Sequence, residues 1–341
     1  ATASVARVSF ENKPCRRGIL VQISDSQALW LGRFANDCDC NEGVIISRWD
    51  PDTESECTHT EEMISCPIDG SIIFCTATVY GGEVFVYGGY QSRLLTDMYV
   101  LSLDTRQWRK VEREGGERGE KVTPVCGSGG GGEEDYTLFK ESGSEERACP
   151  SQPLWPLPME QLVSFRLGHK WYVTGQLREQ SSGPRSYHTL VYDLETGLWE
   201  EVPPLLMSDR DDASVTVGDT AFFLDATGIH LMSFSEATGA NVECSLPAGM
   251  RKVESITTVG GRHLLVFERD TSGRPIVLRT YCYSLVTGKW CLVSSLPMQY
   301  VSGCSCMVGE TCSLSLEHSM NHQIGVFVEY TLPSLDSMHM L

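Results

Sequence analysis

The run Cys75-Thr-Ala-Thr-Val-Tyr80-Gly81-Gly82-Glu83-Val-Phe-Val-Tyr87-Gly88-Gly89 decides the fold. A β-branched segment meets one glycine pair and a second segment, ending in tyrosine, meets another, which is the pattern of short strands separated by tight turns. A polar stretch from Tyr90 to Thr96 follows, then Met98–Leu103, the turn Asp104-Thr105-Arg106-Gln107, and Trp108-Arg109-Lys110-Val111. Four strands fit into this one unit.

The ending of the unit recurs. It reads Leu190-Val-Tyr-Asp193-Leu-Glu-Thr-Gly197-Leu-Trp199 in one place and Tyr281-Cys-Tyr-Ser284-Leu-Val-Thr-Gly288-Lys-Trp290 in another. A strand into Gly-Gly, a tyrosine-rich strand, a four-residue turn and then Trp is the kelch pattern. The glycines allow positive φ where the chain must turn sharply, and the indole lays a broad flat surface between neighbouring sheets. Trp199 and Trp290 stand 91 residues apart, room for two units, the intervening one having lost its Trp. The expected fold is all-β: a six-bladed kelch-type β-propeller in one domain. Its blades are placed at 18–65, 73–113, 160–204, 212–247, 253–297 and 302–332. The last has only three strands of its own, so the alternating segment Ala3–Phe10 is expected to supply the fourth and close the ring, leaving no free sheet edge.

Composition narrows the functional classes. The chain has 341 residues, 41% of them apolar, enough for a packed core. Its 27 basic against 45 acidic residues give a net charge of −18, which opposes non-specific binding to a phosphate backbone. No apolar run reaches the roughly 18 residues of a membrane span, and no signal-peptide core occupies the first thirty positions. The 14 cysteines show no C-x2-4-C pairs with histidines at finger spacing, so they read as small apolar residues in a reducing compartment. Segment 114–149 carries nine glycines and nine acids against four bases, and is expected to be a mobile acidic insertion.

No catalytic constellation stands out. Tyr281-Cys282-Tyr283 places a cysteine beside tyrosines, as a copper-radical oxidase would need, but without a histidine pair. Ser186-Tyr187-His188 lacks a G-x-S-x-G elbow and reads as the start of a strand, with His188 a satisfied partner within a blade. The glycine run at 127–132 lacks the Lys-Ser/Thr of a phosphate loop. A non-enzyme is expected, with no cofactor of its own. Among the few basic residues, Arg16, Arg17 and Arg33 in the first blade and Arg109 and Lys110 in the second are the candidates for phosphate contact.

The order of features along nearly the whole chain resembles the kelch core of the V(D)J recombination-activating protein 2 family, in a divergent form like that of invertebrate RAG-like transposons. The resemblance rests on Gly18-Ile-Leu-Val-Gln-Ile-Ser-Asp-Ser-Gln-Ala-Leu-Trp-Leu-Gly32, on Cys40-Asn-Glu-Gly43-Val44, on Val242-Glu-Cys244-Ser-Leu-Pro247-Ala-Gly249 with Val253-Glu-Ser-Ile256, and on Gly309-Glu-Thr-Cys-Ser-Leu through Leu332. It implies a nuclear, non-catalytic accessory subunit. Such a subunit binds the transposase-like recombination-activating protein 1, which holds the divalent metal and cuts DNA, and the pair forms a heterotetramer on terminal inverted repeats or recombination signals. Arg109-Lys110 match a basic pair of that family. Asn36-Asp-Cys-Asp-Cys40 departs from it, being an acidic loop where the family has a basic one, and histone reading is not expected of this chain. The alternative is a kelch substrate receptor of a ubiquitin ligase.

Overall fold

The computed structural model describes residues 4–8, 14–24, 26–34, 37–49, 58–68, 71–91, 93–112, 156–178, 185–208, 214–250, 252–270, 272–273, 276–298, 300–307, 312–319 and 325–331. The expected insertion at 114–149 lies outside them. In chain order, β1 (Ser4–Val8) precedes the sheet β2 (Pro14–Ser24), β3 (Gln27–Phe34), β4 (Asp37–Trp49) and β5 (Thr58–Ser65). The next sheet holds β6 (Ser71–Tyr80), β7 (Glu83–Gln91), the short β8 (Arg93–Leu94), β9 (Met98–Ser102) and β10 (Trp108–Lys110). The third holds β11 (Glu160–Leu167), β12 (Lys170–Arg178), β13 (Arg185–Asp193) and β14 (Trp199–Val202). Then follow β15 (Ser214–Val217), β16 (Thr220–Leu224), β17 (His230–Ser235) and β18 (Gly239–Ser245), and after them β19 (Val253–Val259), β20 (His263–Asp270), β21 (Ile276–Ser284) and β22 (Lys289–Met298).

The structure thus has five blades, each an unbroken run of chain, where the sequence reading places six, the last of them completed by the N-terminal strand. Among the described residues a sixth sheet is composite: β23 (Tyr300–Met307), β24 (Cys312–Ser319) and β25 (Gly325–Thr331) from one end, with β1 from the other. β1 pairs antiparallel with β25, Ser4 opposite Thr331 and Val8 opposite Phe327. The first strands lie side by side in the order β2, β6, β11, β15, β19, β23, and β23 again adjoins β2. The fold is an all-β propeller.

Two details differ from the sequence reading. Asp37–Cys40, expected as an acidic loop, is the start of β4, with Asp37 opposite Phe34. Acidic residues are depleted in strands as a class, a preference that the cross-strand pairing overrides here. The polar stretch after Tyr90 contains β8, whose Arg93 pairs with Gln91.

Why the strands read as nearly continuous apolar runs follows from their position. Successive side chains point to opposite faces of a sheet, and here both faces are covered. Val84 and Val86 face the first sheet, packing with Leu29, Leu31, Ile45 and Ile64. Phe85 and Tyr87 face the third, packing with Trp171, Val173, Leu190, Tyr192 and Trp199. Phe223 and Ala221 turn back to Phe165, Tyr172 and Val191, while Phe222 and Leu224 turn forward to Ile256, Leu264 and Val266. The core is therefore a set of seams between sheets, each fully buried aliphatic or aromatic side chain being worth about 1.5–3 kcal/mol.

The innermost strands of adjacent blades run too far apart for a backbone ladder, so hydroxyls bridge them. Thr76 meets Ser164. Ser214 donates to the Ser164 carbonyl at 2.8 Å and Thr216 to the Arg166 carbonyl at 2.9 Å.

Candidate functional site

A propeller offers two rims. The lower rim carries the turns joining first to second and third to fourth strands of each blade, and here those turns are interlocked. Tyr80 donates to Glu195 of the next blade at 2.8 Å. Tyr172 donates to Glu236 at 2.7 Å, and Lys170 pairs with the same carboxylate at 2.9 Å. The four third-to-fourth turns among the described residues superpose in pattern: Ser102 to Arg106, Asp193 to Gly197, Ser235 to Gly239 and Ser284 to Gly288. The last residue has positive φ in all four, 60°, 76°, 69° and 66° in that order. Arg106 thus occupies a glycine position. From it the guanidinium reaches Glu62 of the first blade with Nε at 2.9 Å and Nη2 at 3.1 Å. These contacts tie turns of neighbouring blades together on this rim.

The upper rim holds the longer connections, and binding surfaces concentrate on such segments when a rigid scaffold carries them. Between the third and fourth blades, Leu206 and Ile229 are each 57% exposed. Both are tied to the Asp225–Ile229 turn: Ala226 N–H donates to the Leu206 carbonyl, and Leu246 N–H to the Ile229 carbonyl. Asp225 pins the turn beneath them: it accepts from the Thr227 hydroxyl at 2.6 Å and from the N–H groups of Ile229 and His230. Its partial burial works against ionisation, but these donors and the His230 ring outweigh it and hold the carboxyl at about 2. The aspartate is ionised at every physiological pH.

Two further polar groups lie at this level. In the fifth blade Arg279 bridges Glu268 and Asp270, and Arg269 pairs with Glu254. In the third, Ser186, His188 and Glu201 form a chain of hydrogen bonds. Ser186 lies near the start of β13, as expected, but sequence spacing could not show that Glu201, on another strand, would meet the imidazole.

The predicted basic residues separate into two places. Arg16 and Arg17 lie early in β2 and Arg33 late in β3, and the register Pro14 opposite Phe34 and Gly18 opposite Gly32 sets all three at the upper end of the first blade. Their side chains lie outside the described residues. Arg109 and Lys110 are on β10, the outermost strand of the second blade, three strands from the innermost, a lateral separation of about 14 Å. As neighbours on a strand they face opposite ways. Arg109 pairs with Glu83 at 3.0 Å, and Lys110 pairs with Asp97 at 2.8 Å and lies over the Tyr99 ring. The structure does not assemble them into one phosphate clamp, and each cation already has an acid.

At Tyr281-Cys282-Tyr283, Cys282 faces Cys291 across the ladder and burial pushes its thiol up to about 12. Tyr283 packs on Trp290, ring centres 4.8 Å apart. No group of three or more potential metal-binding side chains occurs among the described residues.

Comparisons with known proteins agree with this architecture. The kelch motif model matches residues 73–113. Over 64 residues the chain is 36% identical to the protein ral2 of Schizosaccharomyces pombe, a match that spans 18% of this chain and only 10% of that protein. The solved structure of YjhT superposes with a TM-score of 0.60 over 95% of this chain and 96% of that one, at 11% identity, a likeness of fold alone. Motif and fold together define a kelch-type propeller protein.

Proposed function

We propose that this propeller is a protein-binding platform whose upper rim, at the junction of the third and fourth blades, receives its partner. The observation that carries the reading is the exposed pair of Ile229, on a turn stiffened by Asp225, and Leu206, whose carbonyl accepts from Ala226 N–H of that turn. Apolar side chains presented from a rigid turn lose little entropy on binding. The composite sheet acts as a sixth blade in this reading, joining both chain ends and leaving a stiff ring as the platform.

The particular partner is a recombination-activating protein 1-like transposase, and the propeller supports its complex with terminal-repeat DNA in the nucleus without contributing groups to DNA cleavage. Support comes from the co-linear resemblance and from the basic residues gathered at the upper end of the first blade. The test is co-purification with such a subunit and cleavage of a terminal-repeat substrate with and without this chain. Stimulated cleavage supports the reading, and equal cleavage overturns it. Leu206→Glu with Ile229→Glu should abolish co-purification while leaving the melting temperature unchanged; retained binding would remove this rim as the interface. Arg109→Ala and Lys110→Ala report on DNA retention more cleanly than charge reversal, which would set glutamates against Glu83 and Asp97.

A further inference from the structure

Ser186 and His188, two apart on β13, point to the same face of the third blade, and Glu201 reaches them from β14. Ser186 Oγ lies 2.9 Å from His188 Nε2, and His188 Nδ1 lies 2.7 Å from Glu201 Oε1. Both distances fall within the reach expected of a nucleophile, its base and the group that orients the base. The protons can be placed. An ionised carboxylate only accepts, so Nδ1 must carry a hydrogen. In the neutral ring Nε2 is then the free lone pair, and Ser186 is the donor to it.

The surroundings suit a reaction at the surface. Gly175 is the cross-strand neighbour of His188. Where a side chain at 175 would stand, Leu162, Met159 and the Glu160 carbonyl are packed instead, so the space beside the strand at this position is filled. On the other face Gln176 bonds the Tyr187 hydroxyl at 2.9 Å and steadies the strand. The side chain of His188 is 23% exposed and that of Glu201 45%, so the groups are open to a small molecule from solvent.

We propose that Ser186 is an activated nucleophile that takes acyl groups from small carboxylic esters, with His188 as general base and Glu201 as positioning residue. Ser186 Oγ bonds to the ester carbonyl carbon as its proton passes to His188 Nε2. The imidazolium, stabilised by Glu201, returns that proton to the leaving alkoxide as the ester C–O bond breaks. Water, deprotonated by His188, then attacks the acyl-serine, releasing the acid and restoring the hydroxyl. The net reaction is ester plus water to acid plus alcohol. This site uses neither Leu206 nor Ile229, so either proposal can fail alone.

The experiment treats the full chain with an alkyl fluorophosphonate and maps adducts by peptide mass spectrometry, with 4-nitrophenyl acetate hydrolysis as a second readout. Ser186 should be labelled on the order of 100-fold faster than Ser272, since a positioned base contributes about that much or more. Ser272 is exposed and gives its hydroxyl to Asp270 instead. His188→Ala should bring Ser186 down to the Ser272 rate. Glu201→Gln should slow both readouts, with Glu201→Asp restoring them. Labelling of wild-type Ser186 no faster than Ser272 overturns the proposal without any variant, as does undiminished labelling in His188→Ala.

Discussion

Trp108, the first residue of β10, donates its indole N–H to the carbonyl of Ser65, the last residue of β5, at 2.7 Å. A side chain that marks the repeat in one blade thus closes a backbone position in the blade before it. Trp199 does the neighbouring job by tilted ring contact, its centre 5.3 Å from that of Tyr87 in the blade before and 4.9 Å from that of Tyr192. The repeat's tryptophan is therefore a fastener between blades, and several consequences can be measured.

Replacing Trp108 by Phe keeps most of the apolar surface and removes the donor. Urea unfolding should show a loss of about 1 kcal/mol with an unchanged slope, the usual net worth of one hydrogen bond. An unchanged midpoint would mean that water replaces the indole N–H without cost.

Arg106 holds a left-handed backbone, φ 60°, in exchange for its bidentate contact with Glu62. That conformation costs a non-glycine residue roughly 1–2 kcal/mol, whereas an exposed ion pair returns about 0.2–1 kcal/mol. Arg106→Ala loses the pair and keeps the strain; Arg106→Gly loses both. The glycine variant should accordingly melt above the alanine variant. The reverse order would show that φ is not strained there.

Gly175 has no room for a methyl group. An added Cβ would stand 2.7 Å from Leu162 Cδ2, 2.8 Å from Met159 Cβ and 3.1 Å from the Glu160 carbonyl oxygen. Gly175→Ala should destabilise by about 1–3 kcal/mol in chemical denaturation, the range for overpacking. The same change at Gly218, where nothing lies within 4 Å and φ is 63°, should cost backbone strain only.

Asp225 makes stability depend on acid. Its folded carboxyl sits at about 2, below the ordinary 3.8. A depressed carboxyl contributes stability that is complete above its unfolded value and is lost as pH falls through the folded one. Asp225→Asn should thus be less stable than wild type near neutral pH, the gap closing as pH drops from 3.8 towards about 2. A gap independent of pH would assign the effect to packing.

Much of the fold could be read from local chemistry. Asp193-Leu-Glu-Thr-Gly197 announces its turn, since an aspartate that accepts from the N–H groups of Glu195 and Thr196 and a glycine that takes positive φ are both local properties. The run Ala221-Phe-Phe-Leu224 announces a strand covered on both faces, but which residue faces which neighbour needs the neighbours themselves. The site was harder. Ser186 and His188 are legible as a same-face pair, yet Glu201 joins them only because β14 lies beside β13. Arg109 and Lys110 look like a basic pair when written side by side. The alternation of a strand drives them apart, and Glu83 and Asp97 claim one each.

The amino-acid order alone set the repeating unit, its turns and its tryptophans, because those depend on backbone preferences and on side chains a few residues apart. Tertiary structure alone decided that turns of neighbouring blades lock together on the lower rim, and that Leu206, Ile229 and the Ser186–His188–Glu201 relay stand on the upper rim. Such outcomes depend on contacts between blades, where distance in space is unrelated to distance along the chain.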